Sequence, residues 1–375
     1  MSADGIRIFS TCPQSKDFAR GAYMPHVQRV ARWSEAAGCT GMLIYTDNSI
    51  VDPWLVAQAT LQCTERLCPL VAVQPVYMLP YTAAKMVASL AALHGRRIWL
   101  NMLAGGFRND LIALGDATPH DDRYARTIEY ASVMRQLLEH DQPATFEGRF
   151  YRLHGVRLAP ALPEDLQPGW LISGSSPAGR AAAVAMGAIA VEYPAPPDAA
   201  GTGGSGDTGD SGDTGDSGDS RGTGDRGGSG DSVGSGDVPV GRGIRVGIIA
   251  RDSAEDAWAI AHARFPDDRR GRLSHALAMK TSDSAWHRTL SELARERGAE
   301  AGPYWLWPFE QHRTFCPYLV GDFVTVAREI ARYIALGHRS FILDIPLDAD
   351  DLQTAAVVFR LALEQAGAAA AMAGT

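Results

Sequence analysis

The 375-residue sequence has few cysteines and no pair of them in a metal-binding spacing. Cys12, Cys39, Cys63, Cys68 and Cys316 are odd in number, scattered, and include no CxxC. That excludes a disulfide framework and a structural zinc site, so no metal is expected and a reducing cytoplasm is the expected compartment. No run approaches the 18 or so consecutive apolar residues that a membrane-spanning helix needs. The first residues, MSADGIRIFSTCPQ, lack a basic stretch leading into an apolar one, so no secretory signal is expected. Basic residues are also in short supply. The formal charge is −8, and residues 201–237 account for most of it with eight Asp against two Arg, leaving the remainder about −2. A polyanion-binding surface needs clustered Lys and Arg to displace counterions, so nucleic acid is excluded as a partner.

Apolar side chains also run out across residues 201–237, where Val233 is the single exception and Asp recurs every third residue from Asp207 to Asp219. Such a segment buries too little surface to offset the entropy of ordering it. The absence of proline argues against a collagen-like reading, and the calcium β-roll nonapeptide is missing. The expected organisation is therefore one catalytic unit in two stretches, residues 1–197 and 240–366. A Gly/Asp/Ser/Thr linker over 198–239 separates them, and an Ala/Gly tail over 367–375 follows.

What is present in quantity is alternation. Short β-rich runs at 6–11, 41–45, 70–73, 97–102, 170–173, 189–191, 244–250 and 340–344 are interleaved with helical periodicity. Helices are expected near 24–37, from Pro53 with Asp52 as its cap, and near 81–93, 122–138 and 177–186. Residues 146–158 alternate like a hairpin. Eight strands with crossover helices predict an α/β fold, a (β/α)8 TIM-type barrel with insertions, over an open parallel sheet.

In such a barrel ligands bind on the loops after the strands. Those ends carry Cys12, Tyr45-Thr46-Asp47, Gln74, Asn101 with Gly105-Gly106, Ser173-Gly174-Ser175-Ser176, Arg245 and Asp344. The run from Ile172 to Ala178 passes from strand through a small-residue turn directly into a helix. Free N–H groups at that helix start, with two serine hydroxyls, suit a terminal phosphate. Equally, Ser175 or Ser176 serves as an ordinary helix cap.

Several runs together resemble a family: Gly41–Ile44 through Asp52–Ala57, His94–Gly106, Asp122-Arg123-Tyr124, Phe146–Tyr151, Ser173–Ser176, and Leu319–Asp322 with Leu336-Gly337. Their order and spacing are similar to the bacterial luciferase-like monooxygenases, most of all to the alkanesulfonate monooxygenase branch, over about residues 5–197 and 240–365. The resemblance implies reduced FMN (FMNH2) at the barrel mouth, its phosphate held by Tyr124, Ser175 and Ser176 beside Ser173 and Gly174. The isoalloxazine ring would lie near Tyr45, Thr46, Ala72 and Asn101. It also implies a cis peptide at Ala72-Val73. The sequence departs from sulfonate-cleaving relatives where Cys12 replaces a histidine, Ile50 a cysteine and Gly247 a histidine, and where no tyrosine follows the eighth strand. Alkanesulfonate cleavage is therefore not expected. In relatives a mobile loop falls near Pro303–Arg313, which places His312 or Arg313 over the flavin. The aromatic residues Tyr304, Trp305, Trp307 and Phe309 either line a large apolar cavity there or form ordinary core.

The function expected from this resemblance is that of a two-component flavin-dependent monooxygenase. Reduced FMN from a separate NAD(P)H-dependent flavin reductase would react with O2 to a peroxyflavin and oxygenate a mainly apolar, small-molecule organic substrate. Asn101, Arg245, Cys12, Arg313 and His312 are its candidate catalytic residues. A homodimer or homotetramer without membrane contact is expected. Two alternatives stay open: a deazaflavin-dependent hydride-transfer oxidoreductase on the same barrel, and a non-catalytic flavin-binding relative.

Overall fold

A computed structural model describes residues 5–105, 108–174, 176–200, 241–281, 289–293, 295 and 302–373. The linker expected over 198–239 thus lies almost wholly outside the described residues, as do Gly106 and Ser175. In chain order the elements are β1 (Arg7–Thr11), α1 (Tyr23–Ala36), β2 (Gly41–Ile44), α2 (Pro53–Cys63), β3 (Cys68–Val73), α3 (Pro80–His94) and β4 (Trp99–Met102). Then come α4 (Arg108–Ala113), α5 (His120–Glu139), β5 (Ala144–Glu147), β6 (Arg152–Val156), β7 (Gly169–Ser173), α6 (Pro177–Ala185), β8 (Ile189–Glu192) and α7 (Pro197–Ala200). The second stretch holds β9 (Arg242–Arg251), α8 (Ala254–Arg264), α9 (Arg269–Thr281), β10 (Tyr304–Trp305) and α10 (Trp307–Glu310). It ends with β11 (Tyr318–Asp322), α11 (Phe323–Ala335), β12 (His338–Leu343) and α12 (Ala349–Ala373).

Local chemistry sets the helix starts. Asp52 caps α2 by accepting from the N–H groups of Trp54 (2.9 Å) and Leu55 (3.4 Å), and Pro53 takes the first turn. Ser176 with Pro177 starts α6 in the same way, and Asp322 caps α11. The left-handed Gly95, at φ 60°, ends α3.

The strands β12, β1, β2, β3, β4, β7, β8 and β9 pair in parallel, and β8 to β9 and β9 to β12 close the ring. This is the (β/α)8 barrel that the alternation predicted, with all eight strands where they were read. The hairpin read over 146–158 is the antiparallel pair β5–β6. Two further strands were not read. β9 is ten residues long, and only its first half belongs to the ring. From Gly247 to Arg251 it pairs instead with β11, which carries β10 antiparallel on its outer side. The Ala72-Val73 bond is trans, the one cis peptide among the described residues being Ala159-Pro160. Val73 simply continues β3 in register with Met102 of β4, so the extended chain meets its neighbour without an irregular bond.

Alternation along each strand sends successive side chains to opposite faces. Phe9, Leu43, Leu70, Trp99, Leu171, Val191 and Ile342 fill the barrel interior. The residues between them pack under the helices in two larger cores, one beneath α1–α6 and one beneath α11 and α12. No helix among the described residues is long and apolar enough to cross a membrane.

Candidate active site

Two residues beyond each interior residue stands the next inward position, and these positions form the top layer of the barrel: Thr11, Tyr45, Ala72, Asn101, Ser173 and Asp344. Arg245 on β9 is level with inward-facing Ile342 of β12, one inward position deeper, and its side chain reaches up into the layer to Tyr45 and Asp344. These residues come from seven of the eight strands or the position directly after them, so positions scattered over 334 residues of sequence meet on one surface at the C-terminal end.

The layer has two halves. In the first, Ser173 Oγ donates to Asn101 Oδ1 at 2.9 Å, leaving the carboxamide nitrogen without a partner among the described residues. The turn after β7 then brings Gly174 against Tyr124 of α5. A Cβ on Gly174 would fall 2.6 Å from the Tyr124 hydroxyl, so any larger residue there would have to displace the phenol. Gly179, in the first turn of α6, lies equally close to Gly174, where its own Cβ would meet backbone at 3.0 Å. The Tyr124 phenol, the Gly174 backbone and the start of α6 thereby come together as one cradle. Ser176 is at once a wall of that cradle and the α6 cap, accepting from Gly179 N–H at 3.1 Å.

The second half is a buried polar cluster. Arg245 donates from Nη2 to the Tyr45 hydroxyl and to Asp344 Oδ1, the latter at 3.2 Å, and its guanidinium lies 5.0 Å from the Tyr45 ring centre. Arg245 Nε is buried and has no partner among the described residues. Asp344 Oδ2 accepts from Thr314 Oγ1 at 2.5 Å and from the Tyr318 hydroxyl at 2.9 Å. The segment before β11 is thus tied to the end of β12. Next to the cluster lies a small open hollow whose walls include Gly247, Arg264, Tyr318, Asp344 and Asp351.

Comparisons with known proteins bear on the family and the fold. Residues 7–204 match the family model described as luciferase-like monooxygenase. A curated relative from Niallia circulans, 4-(gamma-L-glutamylamino)butanoyl-[BtrI acyl-carrier protein] monooxygenase, is 33% identical over 94% of this chain and 95% of its own length. The chain belongs to the luciferase-like monooxygenase family. Its class of activity is accordingly that of an oxidoreductase, a monooxygenase, and the match singles out no branch of the family. Among solved structures, a long-chain alkane monooxygenase shares the fold at a TM-score of 0.68 and 14% identity, covering 96% of this chain and 92% of that one. An F420-dependent secondary alcohol dehydrogenase shares it at 0.59 and 17%, over 95% and 99%.

For this luciferase-like chain the structure distributes the candidate residues unevenly. Tyr45, Ala72, Asn101, Ser173 and Arg245 share the top layer, Gly174, Ser176 and Tyr124 form the cradle beside it, and Thr46 follows Tyr45 directly. Ser175 lies outside the described residues. Cys12 does not reach the mouth: it is 1% exposed in the core beneath α1 and α2, 3.9 Å from the Tyr23 hydroxyl. Burial pushes its thiol up to about 12, against a weaker lowering by the Tyr23 contact, so it stays protonated at neutral pH. That corrects its catalytic candidacy, because a nucleophile needs the thiolate. Arg313 pairs with Asp268 at 2.7 Å, on the α9 side of the loop. His312 has the left-handed φ of 54° and rings of His275 and Phe315 about 6 Å away. Burial and the nearby Lys16 charge lower its pKa. Neither side chain bonds to a top-layer residue.

The aromatic run resolves as core. Trp305 is fully buried among Trp258, Phe265 and Tyr318, and Tyr304 donates its hydroxyl to Pro194 O at 2.6 Å. Thr314, Tyr318 and Asp344 are the participants that sequence reasoning did not single out as site residues. Asp344 alone carried a signal, as a charged residue directly after an apolar strand.

Proposed function

We propose that this chain is the oxygenase half of a two-component system, using reduced FMN supplied by a separate NAD(P)H-dependent flavin reductase, and O2, to oxygenate an organic substrate. The observation that carries the reading is the Tyr124–Gly174–Ser176 cradle opening beside the Asn101–Ser173 pair. The cradle suits a terminal phosphate: hydroxyls, the Gly174 backbone and a helix start meet there without a competing acid among the named groups. Tyr124, Ser176 and Ser175 would hold the phosphate, and Tyr45, Thr46, Ala72 and Asn101 would flank the ring. When bound, the cofactor supplies two electrons to O2, so that one oxygen atom enters the substrate and the other leaves as water.

The protein's own residues then have three tasks. Ser173 fixes the Asn101 carboxamide so that its N–H groups are available to a developing negative charge. The Thr314–Asp344 bond holds the preceding loop down over the mouth and keeps bulk water from the reacting centre. Tyr45 and Arg245 present polar groups to the substrate. The Niallia relative's name specifies an acyl chain with an internal amide, carried on an acyl-carrier protein. An acyl substrate of that kind is our candidate for this chain, and oligomerisation through the outer helices is part of the same proposal.

Quenching of tryptophan fluorescence by FMN, reduced FMN and reduced deazaflavin, each titrated into the full chain, tests the cofactor. Tighter binding of reduced FMN is expected. Preference for the deazaflavin would overturn the reading in favour of hydride transfer, the chemistry named for the F420-dependent neighbour.

A further inference from the structure

The further inference rests on the monooxygenase reading and concerns what the same mouth selects. Among the described residues Arg245 is the only cation whose side chain bonds to the top layer, and it is 5% exposed. A lone guanidinium in that place would recruit an anionic head group, since its fork matches carboxylate and phosphate oxygens. It is not alone. Asp344 sits 3.2 Å away with 12% of its side chain exposed, and Thr314 and Tyr318 fix the other carboxylate oxygen. The charge is cancelled where it arises, by a carboxylate that is itself anchored on two sides.

The remaining relationship is between Arg245 and Tyr45. The guanidinium donates to the phenol oxygen, so the phenol's own proton points away from it. No acceptor for that proton is found among the described residues. Tyr45 is only half-buried and stands on the inward face of β2, two positions beyond Leu43 in the barrel interior. Donation from a cation also makes the phenol a stronger donor to a third group.

We infer that the mouth recognises an uncharged hydrogen-bond acceptor, a carbonyl or carboxamide oxygen, with Tyr45 as the donor that touches it. Arg245 and Asp344 are positioning residues: the first aims the phenol, and the second removes the field that would otherwise favour an anion.

The test uses the full chain and two probes of equal length, octanamide and octanesulfonate, titrated calorimetrically with and without FMN. The wild type binds octanamide at least tenfold more tightly than octanesulfonate. Tyr45→Phe keeps the ring and loses the donor, and its octanamide affinity falls about tenfold, the size of one hydrogen bond to a polarised donor. Asp344→Asn keeps the shape but frees the guanidinium charge, and octanesulfonate affinity rises at least tenfold. Asp344→Glu restores the preference for octanamide. A purely structural aspartate would not reverse a charge preference. Equal binding of both probes by the wild type overturns the inference. So does an unchanged Tyr45→Phe variant, or a folded Asp344→Asn variant with no gain for the sulfonate. Should Asp344→Asn fail to fold by circular dichroism, Tyr45→Phe decides. FMN binding is read separately by fluorescence, so a failed flavin reading is distinguishable from a failed inference.

Discussion

The ring of Tyr318 occupies the space directly above Gly247, where a Cβ would come within 2.5 Å of three ring carbons. The two residues are neighbours in the parallel pairing of β11 with β9. Sulfonate-cleaving relatives are expected to carry a histidine at the Gly247 position. Here that space belongs to Tyr318, whose hydroxyl goes on to Asp344. Replacing Gly247 by Ala should force the ring out and destabilise the protein by about 1–3 kcal/mol, the usual cost of overpacking. Denaturant unfolding reads this directly. A Gly247→Ala variant as stable as wild type would mean that the ring moves freely and the packing argument is wrong.

The same replacement motivates a prediction about activity. With Tyr318 above Gly247, Ile50 in place of a thiol and Arg245 neutralised by Asp344, alkanesulfonates should not be cleaved. Sulfite release is assayed with reduced FMN, a generic flavin reductase and a panel of alkanesulfonates. Turnover on the order of 1 s⁻¹, ordinary for an enzyme, would refute it.

Reduced FMN should lose affinity when the cradle is stripped of donors. Tyr124→Phe combined with Ser175→Ala and Ser176→Ala removes hydroxyls whose bonds to a phosphate are worth about 1.5–3 kcal/mol each. The loss of even one such bond weakens binding about 10- to 100-fold, which is the least expected of the triple variant. Ser176 also caps α6, so stability should fall by about 1 kcal/mol as well. Affinity equal to wild type would remove the phosphate from this cradle.

The Gly-Asp tract should be dispensable. Replacing residues 201–237 by a few Gly and Ser residues is expected to leave the melting temperature and flavin affinity nearly unchanged, because closing a shorter loop alters stability only slightly. A fall of more than about 5 °C, which for a chain of this size exceeds 1 kcal/mol, would assign the tract a structural part.

Acid should destabilise the fold through His338. Its side chain is 4% exposed at the start of β12, 3.8 Å from Glu192, and its Nδ1 has no partner among the described residues. Burial, then the charges of Arg242 and Arg339, hold its pKa down at about 4. The unfolded chain takes up a proton below about pH 6.5, whereas the folded chain does so only near 4. Stability is therefore full above about 6.5 and declines as the pH falls toward 4, by at most about 3 kcal/mol. A His338→Gln variant should show a flatter profile over that window; an equally steep one would place the acid sensitivity elsewhere.

The sequence by itself determined the barrel. Each strand is a short apolar run between turn residues, and each cap acts within three or four residues, as Asp52 does on Trp54 and Ser176 on Gly179. Signals of that range survive in a linear reading. Strand parity even places Tyr45, Asn101, Ser173 and Asp344 on the inward face, once the strands are known. Tertiary structure alone decided their partners. Arg245 reaches Tyr45 across 200 residues and Asp344 across 99, and nothing near Arg245 in sequence distinguishes an arginine awaiting an anion from one already neutralised. The aromatic residues around Trp305 were undecided for the same reason: only the docking of β10 on β11, against Trp258 and Phe265, makes them core. β11 was overlooked as a strand because its outer position depends on β9 being twice the length that closing the barrel requires. That length has a use only once a partner strand lies beside it, supplying hydrogen bonds to backbone that would otherwise be left unpaired.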